Sequence, residues 1–210
     1  MSAPMLRAFI QARMSSKRFP GKVLAPLTGT PLLGHVVERV SRVVPRDRIV
    51  IATSSHTADD PIVGYAGMLG VAAVRGPLTD VFARFRACLA EHPCEWFVRV
   101  CADSPLVDPA LLARMTALAG SSDADLITNV QRRTFPKGQS LELLRAVTFL
   151  AVDPGTLDDG EREHLTRYFY ARPERFRIVN IEREGPPATE AEHVVVDTLE
   201  DLRRLEATAR

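Results

Sequence analysis

The sequence predicts an α/β fold in three layers, a mainly parallel sheet with helices on both faces. Three observations carry that expectation. Short runs that are apolar almost throughout, such as Trp96 to Cys101 with only Arg99 interrupting, suit strands buried on both faces. They alternate with segments whose apolar residues recur at helical spacing. Those segments carry start and stop signals, Asp60-Pro61 and Asp108-Pro109 as starts and Gly70 and Gly120 as stops.

Leu6 to Ile10 reads as the first strand, and it empties into a polar loop holding Arg13, Lys17, Arg18 and Lys22, with Pro20 and Gly21 at its far end. Thr30 and Pro31 then predict a helix start, because a threonine oxygen accepts an orphan amide and proline is tolerated at the first helical position. Leu32, Leu33, Val36, Val37 and Val40 form the apolar face of that helix. Arg48 to Thr53 follows as a strand, Asp60 to Gly70 as a helix and Val71 to Val74 as a strand. Val81, Phe82, Phe85, Cys88 and Leu89 mark the next helix, which precedes the Trp96 to Cys101 strand. Leu111, Leu112, Met115 and Leu118 mark another helix, and Asp125 to Val130 another strand.

From Gln131 the rhythm breaks. Residues 131–144 read as a small inserted extended segment ending in a strand, and Ala146 to Val152 as a short helix. Glu161 to Ala171 reads as a helix, Phe176 to Ile181 as a strand and residues 183–193 as a surface loop. Val194 to Val196 reads as a last strand running into Asp197, and Thr198 to Ala209 as a final helix with Leu199, Leu202 and Leu205 inward. No repeat or low-complexity tract divides the chain, so residues 1–210 read as a single domain.

A chain of 210 residues buries about 70% of its unfolded surface without help from disulfides or a structural metal. Its 46% apolar and 25% charged residues are those of an ordinary globular protein. A net charge of +1 steers no polyanion, and aromatic residues do not interleave with the cations, so nucleic acid is excluded as a partner. Cys88, Cys94 and Cys101 are odd in number and lack C-x-x-C spacing, which excludes a zinc site and a disulfide framework and points to a reducing, cytoplasmic compartment. Neither an export signal nor a run of 18 apolar residues is present, so no membrane association is expected.

Ligands of open parallel sheets sit beyond the carboxyl ends of the strands, which directs attention to polar residues just after apolar runs. Three places qualify: the loop after Ile10, Asp103 after the fourth strand, and Asp197 after Val196. The loop lacks the G-x-x-x-x-G-K-[ST] pattern of a Walker A loop, so it would hold phosphates through guanidinium and ammonium groups together with backbone amides. The same residues also suit a solvated basic turn. Asp103 and Asp197 suit Mg2+, which takes one or two carboxylates and completes its shell with water and phosphate oxygens. Each suits equally well the capping of the element that follows it, Asp197 above all.

The strings IQARMSSKRFPGKVLAPLTGTPLLGHVVERV, VRVCADSPLVDP, TFPKGQSLEL, REHLTRYFY and VVDTLEDLRRL together resemble the cytidylyltransferases of the spore-coat polysaccharide synthesis type. That group is similar to the synthetases of CMP-activated sugar acids, the CMP-Kdo and CMP-sialic acid synthetases, and the matches run in order from about residue 6 to residue 205. The resemblance implies a Rossmann-like fold of the nucleotide-diphospho-sugar transferase type. It implies that Ala12, Arg13, Ser16, Arg18 and Lys22 cradle the triphosphate of CTP, with Asp103 beside it, and that Asp103 and Asp197 hold Mg2+. Arg13, Lys22, Asp103 and Asp197 are then the catalytic set for attack of an acceptor hydroxyl on the α-phosphorus with loss of pyrophosphate.

Two departures from the family pattern matter. Cys101 stands where the CMP-Kdo type has a base-reading glutamine, and Ser140 stands where the spore-coat type tends to have an acid. On the acceptor side Glu142, Arg162, Glu163 and His164 are the candidates, with Lys137 and Arg167 beside them; Glu163 and Arg167 could instead pair four apart on a helix. The first expectation is a small-molecule sugar-acid acceptor. The second is a sugar phosphate, an alditol phosphate or a phosphonate, for which Arg132, Arg133 and Lys137 should face the pocket. A nucleotide-binding module without catalysis is the third. Relatives of this fold dimerise through their inserted segment, so a homodimer through residues near 130 to 150 is expected.

Overall fold

A computed structural model describes residues 4–208. Its centre is a seven-stranded sheet formed by β1 (Leu6–Gln11), β4 (Ile49–Ser54), β5 (Ala72–Gly76), β6 (Trp96–Cys101), β7 (Leu126–Thr128), β8 (Glu142–Arg145) and β9 (Ile178–Asn180), in the order β5-β4-β1-β6-β8-β7-β9. Pairing is parallel except along β8, which runs antiparallel to both β6 and β7. The expected mainly parallel sheet is present, and the inserted segment supplies its one reversed strand.

The strands alternate their side chains between two cores. On one face Ala8, Ile10, Ile51, Val98 and Val100 pack under α1 (Leu32–Ser41), α2 (Asp60–Met68) and α4 (Pro109–Ala119). On the other, Phe9, Val50, Ala52 and Phe97 pack under α3 (Val81–Glu91), α5 (Ala146–Leu150) and α7 (Arg167–Tyr170). Phe97 is stacked on Phe9 at 5.2 Å and meets Phe149 edge-on at the same distance, which gives the second core an aromatic centre. A small third cluster joins α8 (Leu199–Thr208) to the hairpin of β2 (Pro26–Leu27) and β3 (Thr30–Pro31) through Leu27, Leu32, Val196, Leu202 and Leu205.

The structure corrects four local expectations. Thr30 does not cap the first helix: with Pro31 it pairs in the hairpin, and the helix begins at Leu32 without a side-chain cap. The fifth strand ends at Thr128 because the Thr128 hydroxyl accepts the Val130 amide and the Asn129 side chain bonds the backbone of Leu141 and Gln139. The single helix expected over Glu161 to Ala171 is two, α6 (Asp159–Glu163) and α7, broken where His164 leaves helical geometry and the fully buried Leu165 turns into the core. Val194 to Val196 does not join the sheet. Its amides bond loop carbonyls instead, Val194 to Lys137 and Val196 to Asp103, so it forms a strap across the strand ends. Ala209, the expected end of the last helix, lies outside the described residues. Among the described residues no helix is long and apolar enough to cross a membrane.

Candidate active site

The chain runs from β1 outward to β4 and β5 and then returns to β6 on the other side of β1. Strand order therefore reverses between β1 and β6, and a crevice opens beyond their carboxyl ends. Gln11 and Cys101, the last residues of the two strands, are register partners there. The basic loop leaves from one side of this crevice and Asp103 from the other.

The loop is folded back on Met14. The Met14 amide donates to the buried carboxylate of Asp59 at 2.7 Å, and the Met14 carbonyl accepts from Ser16 and Gly21. Gly21 has φ +75°, a left-handed conformation that glycine adopts without strain, and this turn sends Lys22 inward. The Lys22 ammonium donates to Asp103 Oδ2 at 2.7 Å, Asp197 Oδ1 at 2.9 Å and the Val196 carbonyl at 3.0 Å. Burial lowers the Lys22 pKa, but the two aspartates outweigh it and the net shift is upward from the ordinary lysine value. Arg18 reaches the other oxygen of Asp197 at 2.9 Å.

Neither aspartate is spent as a cap. The amides of Asp197 and Thr198 are taken by Asp201 at 3.0 and 2.9 Å, which leaves the Asp197 carboxylate to the cations. Among the described residues Asp103 Oδ1 has only the Ser104 hydroxyl, at 3.4 Å. Among the described residues no three His, Cys, Asp or Glu side chains cluster as a metal site, so the donor set is this pair of carboxylates meeting one positive point. Two hard oxygen donors and open cavity space fit Mg2+, which leaves the remaining positions of its shell to water and phosphate oxygens.

Arg13, Ser16, Lys17, Arg18, Lys22, Asp103 and Asp197 line one cavity of about 690 Å³, closed on its far wall by Leu78, Thr79 and Glu163. Ala12 is buried at the root of the loop, its amide bonded to the Ala52 carbonyl. Arg13 lies 3.5 Å from Glu163 across the cavity; with the helix broken at His164, Glu163 makes this contact and not the alternative pairing with Arg167.

A second cavity, about 540 Å³, adjoins the first, and Cys101 lines both. Burial pushes the Cys101 thiol up to about 11. Arg133, Ser140, His164 and Arg167 stand on the walls of this cavity. Beneath them Glu142, 3% exposed, is held by Arg99 at 2.6 Å and by the Tyr170 hydroxyl at 2.7 Å. Burial and the Glu142 charge both raise the Tyr170 phenol pKa, so it remains the donor in that bond. The four acceptor-side candidates thus separate: Glu142 is under the second cavity and His164 on its wall, Glu163 faces the first, and Arg162 is committed to Asp80 at 3.1 Å and the Pro154 carbonyl at 2.7 Å.

Gln11, Arg99 and Tyr170 lie within the motif strings without a role attached to them, and Asp59 lies outside every motif. Gln11 was reachable, as a polar residue at the end of an apolar strand, and so was Arg99, the one charge inside such a strand. Asp59 and Tyr170 carry no comparable signal.

A family model described as Cytidylyltransferase matches residues 8–207. The chain is 32% identical over 205 residues to the spore coat polysaccharide biosynthesis protein SpsF of Bacillus subtilis (strain 168), covering 94% of this chain and 83% of that protein. It is 41% identical over 118 residues to a 3-deoxy-manno-octulosonate cytidylyltransferase of Anaeromyxobacter dehalogenans (strain 2CP-C), a match spanning 54% of this chain and 47% of the relative. A solved cytidylyltransferase from Leptospira borgpetersenii serovar Hardjo-bovis (strain JB197) is similar in fold, with a TM-score of 0.90 and 28% identity over 97% of this chain and 86% of that one.

Proposed function

The chain belongs to the cytidylyltransferase family, and on that premise we propose that it transfers CMP from CTP to a hydroxyl of a sugar acid. The observation that carries the site assignment is the meeting of Lys22, Asp103 and Asp197 on the floor of a cation-lined cavity that opens beside a second one. The acceptor oxygen attacks the α-phosphorus and forms a new P–O bond. The bond to the bridging α–β oxygen breaks, its electron pair leaves with pyrophosphate, and the hydroxyl proton passes to solvent.

Within this reading Arg13, Ser16, Arg18 and Lys22 hold the triphosphate and offset the charge that gathers on the leaving oxygens, whereas Ala12, expected in this cradle, has its amide spent on the Ala52 carbonyl and anchors the root of the loop. Asp103 and Asp197 are the residues that would hold Mg2+, which when bound polarises the phosphoryl oxygens and holds the triphosphate in line. Lys22, already shared between the two carboxylates, keeps them together and oriented. Catalysis is then positioning and charge neutralisation.

The second cavity is assigned to the acceptor. Arg167 and Arg133, with His164 beside them, give it a cationic wall that suits a carboxylated molecule. A phosphorylated acceptor is less well served, because of the three residues expected to face it only Arg133 lines the cavity; Arg132 is exposed and pairs with Glu182 at 3.3 Å. We assign residues 4–208 to one catalytic domain acting in the cytoplasm, a compartment that suits free Cys88, Cys94 and Cys101. Val147 and Leu150, 69% and 43% exposed on α5, support a homodimer contact near residues 130 to 150.

The test is to incubate the protein with each nucleoside triphosphate, Mg2+ and a panel of sugar acids while following pyrophosphate release. Turnover should require CTP and a sugar acid. CTP binding that survives unchanged in Arg13→Ala and Lys22→Met would overturn the site assignment.

A further inference from the structure

Gln11 is the last residue of β1 and lines the triphosphate cavity. Its carboxamide oxygen accepts two bonds from the Arg99 guanidinium, from Nε and Nη2, each 3.1 Å long. Arginine has donors only, so the atom facing it must be the carboxamide oxygen and the amide nitrogen points away. Among the described residues that nitrogen has no hydrogen-bond partner, and it is not sealed from the cavity.

The surroundings say which ligand this free donor meets. Gln11 is the register partner of Cys101, the residue common to both cavities, so its side chain stands at the seam between them. Arg99, which holds it, lines the second cavity and is tied there to Glu142 and, through Glu142, to Tyr170. Triphosphate charge is already served by Arg13, Lys17, Arg18 and Lys22, which line the first cavity. A donor at the seam, polarised by a guanidinium whose own charge is offset by Glu142, is placed for an anionic group entering from the acceptor side.

We propose that Gln11 is a specificity-determining residue that donates its amide N–H to the carboxylate of the acceptor as it crosses from the second cavity to the α-phosphate. The inference rests on the transfer to a sugar acid proposed above. The carboxamide serves both neighbours, its oxygen accepting from Arg99 on one side and its N–H donating to an anion on the other. Glutamate would satisfy Arg99 equally well, but it would offer no donor and would set a negative charge against the incoming carboxylate.

Gln11→Glu is therefore the discriminating variant, since it keeps the partner of Arg99 and should fold. Steady-state kinetics with CTP, Mg2+ and either 3-deoxy-manno-octulosonate or N-acetylneuraminate should show an unchanged KM for CTP and an acceptor KM raised by about tenfold or more, as expected for loss of one bond to a charged group. The methyl ester of the same acid should be penalised less. Gln11→Met, neutral and of similar size, should give the same split with a smaller rise, and it serves if Gln11→Glu does not fold. A raised KM for CTP with the acceptor KM unchanged, or no change in either, would overturn the role of Gln11 while leaving the reaction standing. If the wild-type protein binds CTP but turns over no sugar acid, the proposed transfer falls and this inference falls with it.

Discussion

The ammonium of Lys22 lies 2.7 Å from Oδ2 of Asp103, a residue 81 positions further along the chain. The same nitrogen reaches Asp197 at 2.9 Å, so one buried cation holds together two carboxylates from opposite sides of the crevice. Removing it leaves like charges facing each other with nothing between them. Lys22→Met should destabilise the fold by about 2–3 kcal/mol, less than for a fully buried pair because both aspartates keep some water. The pKa of Lys22 is raised on folding, so this stabilisation is complete below the ordinary value of 10.5 and is lost only as pH climbs through the higher folded value. Urea unfolding of both proteins from pH 6 to 11 should therefore show a constant gap at neutral pH that narrows only at the alkaline end.

Chelation should separate catalysis from folding. Because Lys22 and Arg18 already neutralise Asp103 and Asp197, the metal-free site holds no unpaired carboxylate pair to relieve. EDTA should abolish pyrophosphate release and leave the Tm unchanged. In Lys22→Met the two carboxylates lose their shared cation, so Mg2+ should raise the Tm of that variant more than that of the wild type. A wild-type Tm that drops on chelation would mean that the metal binds the folded protein before CTP does, despite Lys22.

Much of the crevice was legible from a rule about strands. Apolar runs ending in polar residues marked the basic loop and Asp103, and the reversal of strand order between β1 and β6 brings those two ends side by side. Val194 to Val196 shows where such reading stops. Three valines have every local preference for a strand, yet their hydrogen-bond partners are the carbonyls of Lys137 and Asp103, supplied by loops whose position depends on the whole topology. The links of the Gln11–Arg99–Glu142–Tyr170 network escaped for the same reason: Glu142 was a candidate, but the members come from four elements and no spacing relates them. The break at His164 escaped because Leu165, Tyr168 and Phe169 fit one continuous apolar stripe and the two short helices equally well.

The cysteines should be inert at neutral pH. Burial is the main cause that pushes Cys88 and Cys94 up to about 12 and Cys101 up to about 11. At pH 7.5 fewer than about one in a thousand of these thiols would be ionised, and the thiolate is the reactive form. Iodoacetamide should label the native protein slowly, with a rate that rises about tenfold per pH unit towards pH 10, whereas the urea-unfolded chain should take up label at all three positions without delay. Rapid labelling of Cys101 at pH 7.5 would show that Arg99 and Lys22 stabilise its thiolate more than burial opposes it.

Gly138 packs directly against the strap that leads to Asp197. Its φ of +96° is a conformation that side-chain-bearing residues rarely adopt, and a Cβ built there would lie 2.6 Å from the Val194 carbonyl carbon and the Val195 nitrogen. Those atoms belong to the strap that Lys137 and Asp103 hold by their carbonyls and that ends at Asp197. Backbone cannot yield as a flexible side chain can, so Gly138→Ala must push the strap outward. The backbone strain alone should cost about 1–3 kcal/mol. Displacement of Asp197 from Lys22 should add a functional loss that a purely structural defect would not produce: a higher Mg2+ concentration for half-maximal rate, at temperatures where circular dichroism shows the variant fully folded. Unchanged Mg2+ dependence in a folded Gly138→Ala protein would mean that the strap can shift without moving the carboxylate.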